Sequence, residues 1–551
     1  MKPDDIVKRY EKLDSERGTW KQHIQEVAEY MIPGKATVIT QGVLGAKRMS
    51  KIFDSTALRA LETFANGLYG HMTSPAAPWF ELTTKNKNLA NRPNVKRWLR
   101  DTSGRMHDAL NSSNFGKSIH EVYTDLGWAG TAPIQVDEGK RNILAFSAFA
   151  PGKVCVQENE YGLVDTIYRC EPMTAREIIR KWGETKPSEQ IRNAAKKDIT
   201  KKFDVIHAVL PREDVERFFD RTQGSWWPKT GALNMPIASF YIEKETKNVL
   251  NEGGYNEMPI MVPRWNKDSE EEYGRSPGMT ALPDVKMLNA MSKSAIKGMQ
   301  KIMDPPLLVP DEMRLFPLRL TPGGLNYYKT GAAEPHPLYV PDKIQLALEY
   351  EEQRRQSIEQ CFYVDLFMLL QQQKKQMTLG EVYERVEEKL MILGPSLGRL
   401  QSELYDPLLS RVFWIMYRGG YIEPVPRELI GEGLEVEYIS KLAMAMRLFE
   451  VQAMQKGVAF ASSIYESKPD IMDNFDLDKT AVGIARRHGM PEEFIRPDRE
   501  VKKIREERQA AQQKAALDQQ LATAASVMDA GKRIEEGSPV DTIGKMTAQG
   551  G

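Results

Sequence analysis

The stretch PDVKMLNAMSKSAIKGMQKIM, from Pro283 to Met303, has the residue spacing of an amphipathic helix. On a helical wheel its lysines form one narrow stripe and its apolar residues form the opposite stripe. The lysines are Lys286, Lys293, Lys297 and Lys301. The apolar residues are Leu288, Met291, Ala295, Met299 and Ile302. A helix of this length spans about 30 Å, so the pattern predicts a rod with a basic face and a face for a partner.

A proline-rich segment separates this helix from a second one. Eight prolines lie between Asp304 and Pro341, which excludes a long helix and predicts short extended pieces and turns. From Asp342 to about Leu370 the apolar residues again recur with helical spacing. They are Ile344, Leu348, Ile358, Phe362, Leu366 and Leu369. The polar run that follows has no apolar face and consists of Gln371, Gln372, Gln373, Lys374, Lys375 and Gln376.

The remainder of the C-terminal half also has helical patterns. Thr378 begins a helix with a capping box completed by Glu381. Leucines continue this helix to Leu408, and Gly394-Pro395 predicts a kink within it. We expect residues 434–490 to be mostly helical and residues 499–530 to form a polar helix, with a disordered tail beyond.

Residues 1–280 predict a mixed region of helices and strands. An amphipathic helix is expected at 4–31, and Asp54-Ser55-Thr56 is typical of the start of another. Two β-rich runs at 152–158 and 163–170 predict a hairpin, followed by a short helix that Thr174 caps. No βαβ rhythm repeats, so the predicted fold class is α+β, mainly helical.

Composition limits the kind of protein. A chain of 551 residues exceeds the size of one hydrophobic core, so we expect more than one structural region. Lysine plus arginine equals aspartate plus glutamate at 76 each, so any site for a polyanion must be local. Three cysteines do not form a disulfide framework. With no secretory or membrane-spanning pattern, we expect a soluble protein of a reducing compartment and no membrane partner.

Motifs for catalysis are incomplete. Gly116-Lys117-Ser118 has the ending of a phosphate-binding loop, but Asn111 stands where its first glycine is required. No histidines pair at metal-ligand spacing, and a Gly-x-Ser-x-Gly elbow is absent. We therefore expect no enzyme, no cofactor and no metal site. The lysine stripe alone is most often a solvated face; it gains importance if the chain repeats around an axis, where each lysine becomes a ring of charge.

The order of these regions resembles the portal proteins of tailed bacteriophages, and more closely the head-to-tail connector family of short-tailed phages (podoviruses). The stretches that carry the resemblance are Asp54-Ser55-Thr56 with Pro78-Trp79-Phe80, the hairpin Val154–Cys170 running into Met173-Thr174, Tyr273-Gly274-Arg275-Ser276-Pro277, Met377-Thr378-Leu379-Gly380-Glu381-Val382, and Leu393-Gly394-Pro395-Ser396-Leu397 with its continuation to Glu403. The resemblance covers residues 4–490 and rests on structural rather than catalytic motifs.

This resemblance implies a portal fold of wing, stem, clip and crown that assembles as a dodecameric ring around a channel. The implied regions are 1–280 (N-terminal wing), 281–303 (first stem helix), 304–341 (clip), 342–370 (second stem helix), 371–377 (tunnel loop), 378–433 (long kinked wing helix and following strand), 434–495 (helical crown) and 496–551 (C-terminal helix, which would add a barrel, and disordered tail). The four lysines of the first helix would face DNA, and Lys374 and Lys375 would carry the charge of the tunnel loop.

The resemblance also implies function and partners. Such a ring lies at one capsid vertex and passes double-stranded DNA during packaging and ejection. Expected partners are the other copies in the homododecamer, DNA bound without sequence specificity, the terminase large subunit, a tail adaptor, and the major capsid and scaffolding proteins. The expected location is the virion, and the host cytoplasm during assembly. One alternative is another virion structural protein, such as a tail adaptor or internal scaffold. An enzyme such as a nuclease or packaging ATPase would require motifs that the chain lacks.

Overall fold

The computed structural model describes residues 3–39, 48–90, 92–218, 231–303, 307–308, 336–337, 344–371, 393–439, 454–455, 457–463, 474, 476–487, 496 and 500–515. The chain divides into two compact units, Met1–Met446 and Arg447–Gly551. Within the described residues the fold is mainly helical with antiparallel sheets, which confirms the predicted α+β class.

The helices and strands of the first unit are numbered in chain order. The helices are α1 (Pro3–Glu16), α2 (Gly18–Met31), α3 (Thr56–Met72), α4 (Lys87–Ala90), α5 (Pro93–Ser112), α6 (Phe115–Ala129), α7 (Ala175–Trp182), α8 (Glu189–Lys197), α9 (Arg212–Phe218), α10 (Pro277–Met303), α11 (Ile344–Cys361), α12 (Val364–Gln371) and α13 (Asp406–Arg418). The strands are β1 (Phe80–Thr84), β2 (Ile134–Glu138), β3 (Leu144–Ala148), β4 (Val154–Glu158), β5 (Val164–Thr174), β6 (Lys202–Pro211), β7 (Ile237–Glu243), β8 (Val249–Tyr255), β9 (Ile260–Met261), β10 (Leu307–Leu308), β11 (His336–Pro337) and β12 (Leu434–Tyr438).

The largest sheet is a five-stranded antiparallel meander in the order β4-β5-β6-β7-β8. Its first two strands form the predicted hairpin, with Val154 opposite Arg169 and Val156 opposite Ile167. The predicted cap of α7 is also confirmed, because Thr174 and Glu177 form a reciprocal capping box. A three-stranded sheet has the order β3-β2-β9, and β1 pairs with β12.

The main core lies among α2, α3, α6, the first half of α10 and α13. Phe64 on α3 is fully buried and makes edge-to-face contacts with Trp265, Phe362 and Phe367. Such aromatic contacts bury large apolar areas and fix ring orientation. This cluster packs α12 and its junction with α11 on α3.

Four boundaries differ from the prediction. The single helix expected at 4–31 is divided at Arg17 into α1 and α2. The lysine-bearing helix begins at Pro277 rather than Pro283, so Pro283 lies inside it. The second helix was expected to be continuous, but it breaks after Cys361, where Tyr363 has a φ of 56°. Residues 434–438 were expected to be helical, but they form β12, whose Phe80–Tyr438 and Thr84–Leu434 pairs close an antiparallel ladder with β1.

The long helix after the polar run is described from residue 393. It contains a π-helical turn at Gln401–Tyr405 and continues as α13. This turn is an irregularity that the sequence analysis did not predict. Residues 372–392, which include the capping box at Thr378, lie outside the described residues. The predicted kink at Gly394-Pro395 lies at the edge of the described helix and stays a prediction.

The second unit has a helix α14 (Leu477–Arg487) and a helical segment at 500–515. Arg505 pairs with Asp478 through two contacts of 2.6 and 2.7 Å, so these two segments lie side by side. The segment predicted as disordered, and the end of the predicted polar helix, lie outside the described residues.

Candidate channel helices

The first half of α10 is built into the core. Ser276, just before the helix, donates its hydroxyl to the Trp128 carbonyl at 2.9 Å and accepts from the Met279 amide at 2.9 Å. The Gly274 amide donates to Thr131 Oγ1 at 2.8 Å. The Tyr273–Pro277 motif of the sequence analysis thus fixes the origin and direction of α10 against α6.

A buried asparagine fixes α10 to the entry of α3. Asn289 Oδ1 accepts hydrogen bonds from the amides of Phe53 at 2.6 Å and Asp54 at 3.2 Å. Its Nδ2 donates to the Val285 carbonyl at 2.8 Å. These hydrogen bonds replace those that the amide group would make with water. They offset the cost of burying Asn289.

Two arginines of α11 clamp the base of the helix pair. Arg354 pairs with Asp284 of α10 at 2.9 Å. Arg355 pairs with Asp54 at 3.0 Å and with Glu351 at 3.0 Å. Burial by itself raises the pKa of Asp54, but hydrogen bonds from Thr56 and Arg355 outweigh burial and lower that pKa. The carboxylate is therefore held charged at the junction of α3, α10 and α11.

The four lysines of α10 have different surroundings. Lys286 forms an ion pair with Glu26 of α2, and its ammonium lies 6.0 Å from the ring centre of Tyr30. The Lys293 ammonium lies 5.3 Å from the ring centre of Phe53. Lys297 and Lys301 are exposed, and within the described part of the chain no carboxylate pairs with either. The structure thus places the first lysine against α2 of the same chain and leaves the last two exposed among the described residues.

The far half of α10, residues 293–303, is exposed on nearly all sides of the described chain. The predicted apolar stripe is covered at Leu288 but not farther along, since Met299 and Ile302 are 39% and 40% exposed. Ile296 is 40% exposed. Exposed apolar side chains at this density on one helix mark a surface that another molecule covers.

The distal parts of this region are only partly described. β10 and β11 form a short antiparallel pair, Leu307 with Pro337 and Leu308 with His336, within the predicted clip. Gln371 is the last residue of α12. The other predicted tunnel-loop residues, Gln372, Gln373, Lys374, Lys375 and Gln376, lie outside the described residues, and their role stays a prediction.

A buried ionic cluster lies around Arg264, and the sequence analysis did not predict it. Arg264 is 0% exposed and pairs with Glu403 at 2.6 Å and with Glu158. Its guanidinium also donates to the carbonyls of Gly162 and Glu272, each at 3.0 Å. Burial alone lowers the pKa of Arg264, but the hydrogen bonds that its guanidinium donates to Glu403 and Glu158 outweigh burial and raise that pKa. The cluster ties the β4–β5 hairpin to the π-helical turn that carries Glu403.

No sequence signal could have revealed this cluster. Arg264 and Glu403 are 139 residues apart along the chain, and each looks like an ordinary surface charge. The clamp between Arg354 and Asp284 is also long-range, at 70 residues. Such partners become visible only when tertiary structure brings the elements together.

Two searches of the described residues give negative findings. Among them, no group of three or more His, Cys, Asp or Glu side chains is arranged to hold a metal ion. None of the described helices is long and apolar enough to cross a membrane.

Helices α10 and α11 are joined by the ion pair between Asp284 and Arg354, and near that contact both contribute buried residues to the main core. The chain matches the family described as bacteriophage head to tail connecting protein over residues 4–495. Because this match covers most of the chain, the protein belongs to that family, and the resemblance noted in the sequence is confirmed.

Two relatives are similar over nearly their whole length. The probable portal protein of Bordetella phage BPP-1 is 32% identical over 509 residues, which covers 91% of this chain and 90% of the relative. The portal protein of Salmonella phage epsilon15 is 30% identical over 509 residues, with the same coverage. Among solved structures, the neck of an empty GTA particle computed with C6 symmetry covers 78% of this chain and 95% of its own, at 10% identity and a TM-score of 0.37.

Proposed function

We propose that this protein is a phage portal that forms the ring at one capsid vertex through which double-stranded DNA is packaged and ejected. The two relatives named as portal proteins, matched over 91% of this chain, support the proposal. The structural observation that carries it is the α10–α11 pair, clamped at its base and exposed beyond Lys293. A stem of this kind gains its missing contacts when copies surround an axis.

We further propose a ring of twelve copies, in which the far half of α10 contributes the DNA-facing charge. Lys297 and Lys301 are the strongest candidates, since they are exposed, whereas Lys286 is already paired with Glu26. Four residues of helix, about 6 Å, would separate their two rings of charge. DNA carries one charge per about 1.7 Å, so the rings would meet phosphates continuously. Lysine is a flexible point charge, which suits a sliding contact.

The remaining roles follow from the regions of the fold. The clip around β10 and β11 would dock the terminase large subunit during packaging and a tail adaptor afterwards. The wing would contact the major capsid and scaffolding proteins. The tunnel loop, with Lys374 and Lys375, would project into the bore. The protein would assemble in the host cytoplasm and remain in the virion, with ATP hydrolysis supplied by the terminase.

Electron microscopy of the purified protein tests the ring. We expect closed rings of about twelve copies with a central hole wide enough for a DNA duplex, and a matching mass in solution. A protein that remains monomeric at high concentration would contradict the portal proposal. It would favour the alternative of a tail adaptor or internal scaffold.

A packaging assay tests the lysines. We expect the double variant Lys297→Gln and Lys301→Gln to form normal rings and to package less DNA, with a changed dependence on salt. The matched control is Lys8→Gln with Lys12→Gln on α1, which removes the same charge from exposed positions far along the chain. Equal packaging by both double variants would remove the DNA-facing role.

A further inference from the structure

The α10–α11 pair carries opposite charges on its two outer flanks. The contact between Asp284 and Arg354 shows which side of each helix faces the other. Lys293 follows Asp284 by nine residues, which places it about 180° around α10 at about 100° per residue. Glu352 and Glu349 precede Arg354 by two and five residues, which places them about 160° and 140° around α11. The lysine and the glutamates therefore lie on opposite outer sides of the pair.

The heights of these charges along the stem also correspond. Counted from the Asp284–Arg354 contact at about 1.5 Å per residue, Lys293 lies about 14 Å along α10. Because α11 returns antiparallel to α10, Glu352 and Glu349 lie about 3 and 8 Å from the same contact. The height difference to Glu349, about 6 Å at that rise per residue, is within reach of the four-carbon stem of a lysine. Lys297 and Lys301 lie about 20 and 26 Å from the contact, beyond Ile344, where the described part of α11 begins.

Among the described residues of one chain, neither flank is neutralised. Lys293 has no carboxylate partner there, and Glu349 is exposed. In the same part of the chain Glu352 pairs with its helical neighbour Arg355, at 3.3 Å, and Arg355 is shared with Asp54 and Glu351. Farther down α11, burial raises the pKa of Glu359, and the charges of Asp365 and Glu352 raise it further. The outer side of α11 thus carries an excess of negative charge.

We propose that a second copy of this chain covers these flanks, with Lys293 of one copy reaching back to Glu349, and towards Glu352 beyond it, of the neighbouring copy. This inference rests on the ring assembly of the proposed function. A cyclic ring needs two different, complementary faces on each subunit, so that each copy presents one face to each neighbour. Cyclic symmetry adds no shift along the axis, so the lysine side chain has to bridge only the height difference between Lys293 and Glu349. The pairing assigns Lys293 to assembly and leaves Lys297 and Lys301 for DNA.

Charge reversal tests the pairing. Lys293→Glu alone, and Glu349→Lys with Glu352→Lys, each place like charges at every interface. We expect each to raise the protein concentration needed for half-assembly at least tenfold at low salt, measured by sedimentation and native mass. The combined variant with all three reversals restores opposite charges and is expected to assemble like the wild type. The effect of the reversals is expected to weaken as salt screens the charges.

The control is Lys297→Glu, which makes the same charge change one turn farther along α10. It is expected to assemble normally. If Lys293→Glu and Lys297→Glu behave alike, or if the triple reversal fails to rescue while its circular dichroism matches the wild type, the pairing is overturned and the ring stands. If the wild type forms no ring, the proposed function and the pairing both fail.

A second measurement uses the unaltered protein, so it does not depend on variants that fold. Zero-length carbodiimide coupling joins amines to carboxylates that are in contact. We expect mass spectrometry to find Lys293 joined to Glu349 or Glu352 in assembled protein and not in monomers. The Lys286–Glu26 pair, which lies within one chain, is the positive control. Recovery of the control link from rings without any link at Lys293 would overturn the inference.

Discussion

Arg264 and Lys297 are both basic residues of the first compact unit, in opposite environments. Arg264 is 0% exposed, and two carboxylates and two carbonyls accept from its guanidinium. Lys297 is exposed on a helix whose apolar neighbours are also exposed. The buried charge of Arg264 finds its partners within its own chain. The side chains at the far end of α10 are exposed among the described residues. Variants in the two regions should therefore fail in different ways.

The largest expected effect is at the buried cluster. Arg264→Met leaves Glu403 without its buried cation and leaves Glu158 with Lys267 alone, and breaking a buried pair in this way costs about 3–5 kcal/mol. We expect a corresponding loss in the free energy of unfolding, measured by urea denaturation. The control is Arg275→Met, whose pair with Glu271 is partly exposed and should cost at most about 1 kcal/mol. Equal midpoints for the two variants would contradict the proposed importance of the cluster.

A buried carboxyl on α6, that of Asp125, should make the stability of the interior depend on pH. Burial raises the pKa of Asp125 from 3.8 to about 6, although Lys35 at 2.6 Å and Trp128 oppose the shift. Because the folded pKa is raised, stabilisation from proton binding is complete below about pH 4 and is lost as pH rises through about 6. Asp125→Asn removes this loss.

The stability of Asp125→Asn relative to wild type should therefore increase between pH 4 and pH 7, by up to about 3 kcal/mol. Thermal melting across this range measures the difference. Glu121→Gln removes the other partner of Lys35 and serves as the control, because Glu121 is exposed. A pH-independent difference for Asp125→Asn would show that the carboxyl does not titrate in this window.

A smaller effect is expected from two glycines of the same helix. A Cβ at Gly67 would lie 2.3 Å from Cγ of Phe367, whereas a Cβ at Gly70 would have no atom within 4 Å. Gly67→Ala must displace the ring that packs α12 on α3, and we expect a loss of about 1–3 kcal/mol. Gly70→Ala should stabilise α3 by up to about 1 kcal/mol. Loss of stability in both variants to the same degree would show that packing against Phe367 is not the cause.

The smallest effect on stability is expected at the far end of α10. Lys297→Gln should change the free energy of unfolding by less than about 0.5 kcal/mol, as is usual for exposed positions. The same urea series used for Arg264→Met measures it. A loss comparable to that of Arg264→Met would mean that Lys297 has a structural partner, and the contrast between the two regions would disappear.

Local patterns in the sequence predicted much of the fold. The β4–β5 hairpin, the capped start of α7 and the amphipathic α10 each depend on residues close together in the chain. The strand β12 also had such a signal: Leu434, Val436 and Tyr438 alternate with two glutamates, which favours a half-buried strand.

The differences arise where packing overrides local preference. Pro283 was taken for a helix start, but α10 is already fixed upstream through Ser276. The second helix breaks at Tyr363 without a glycine or proline, because Phe362 and Phe367 both enter the cluster around Phe64. Of the candidate site, the sequence predicted that the four lysines lie on one helix. Their role with DNA stays a prediction. The sequence could not predict that Lys286 pairs with Glu26, because that partner is 260 residues away.

The pairing of β1 with β12 has a consequence for synthesis. Strand β1 acquires its partner only when Leu434–Tyr438 have left the ribosome, and Trp98 donates to the Glu423 carbonyl, 325 residues later, at 3.0 Å. At about 5–20 residues per second, the nascent chain waits on the order of tens of seconds with an unpaired strand edge. Helices α10, α11 and α12 are made during this wait. Chains that stop before Leu434 would keep β1 as an open strand edge, which is a template for pairing with other chains.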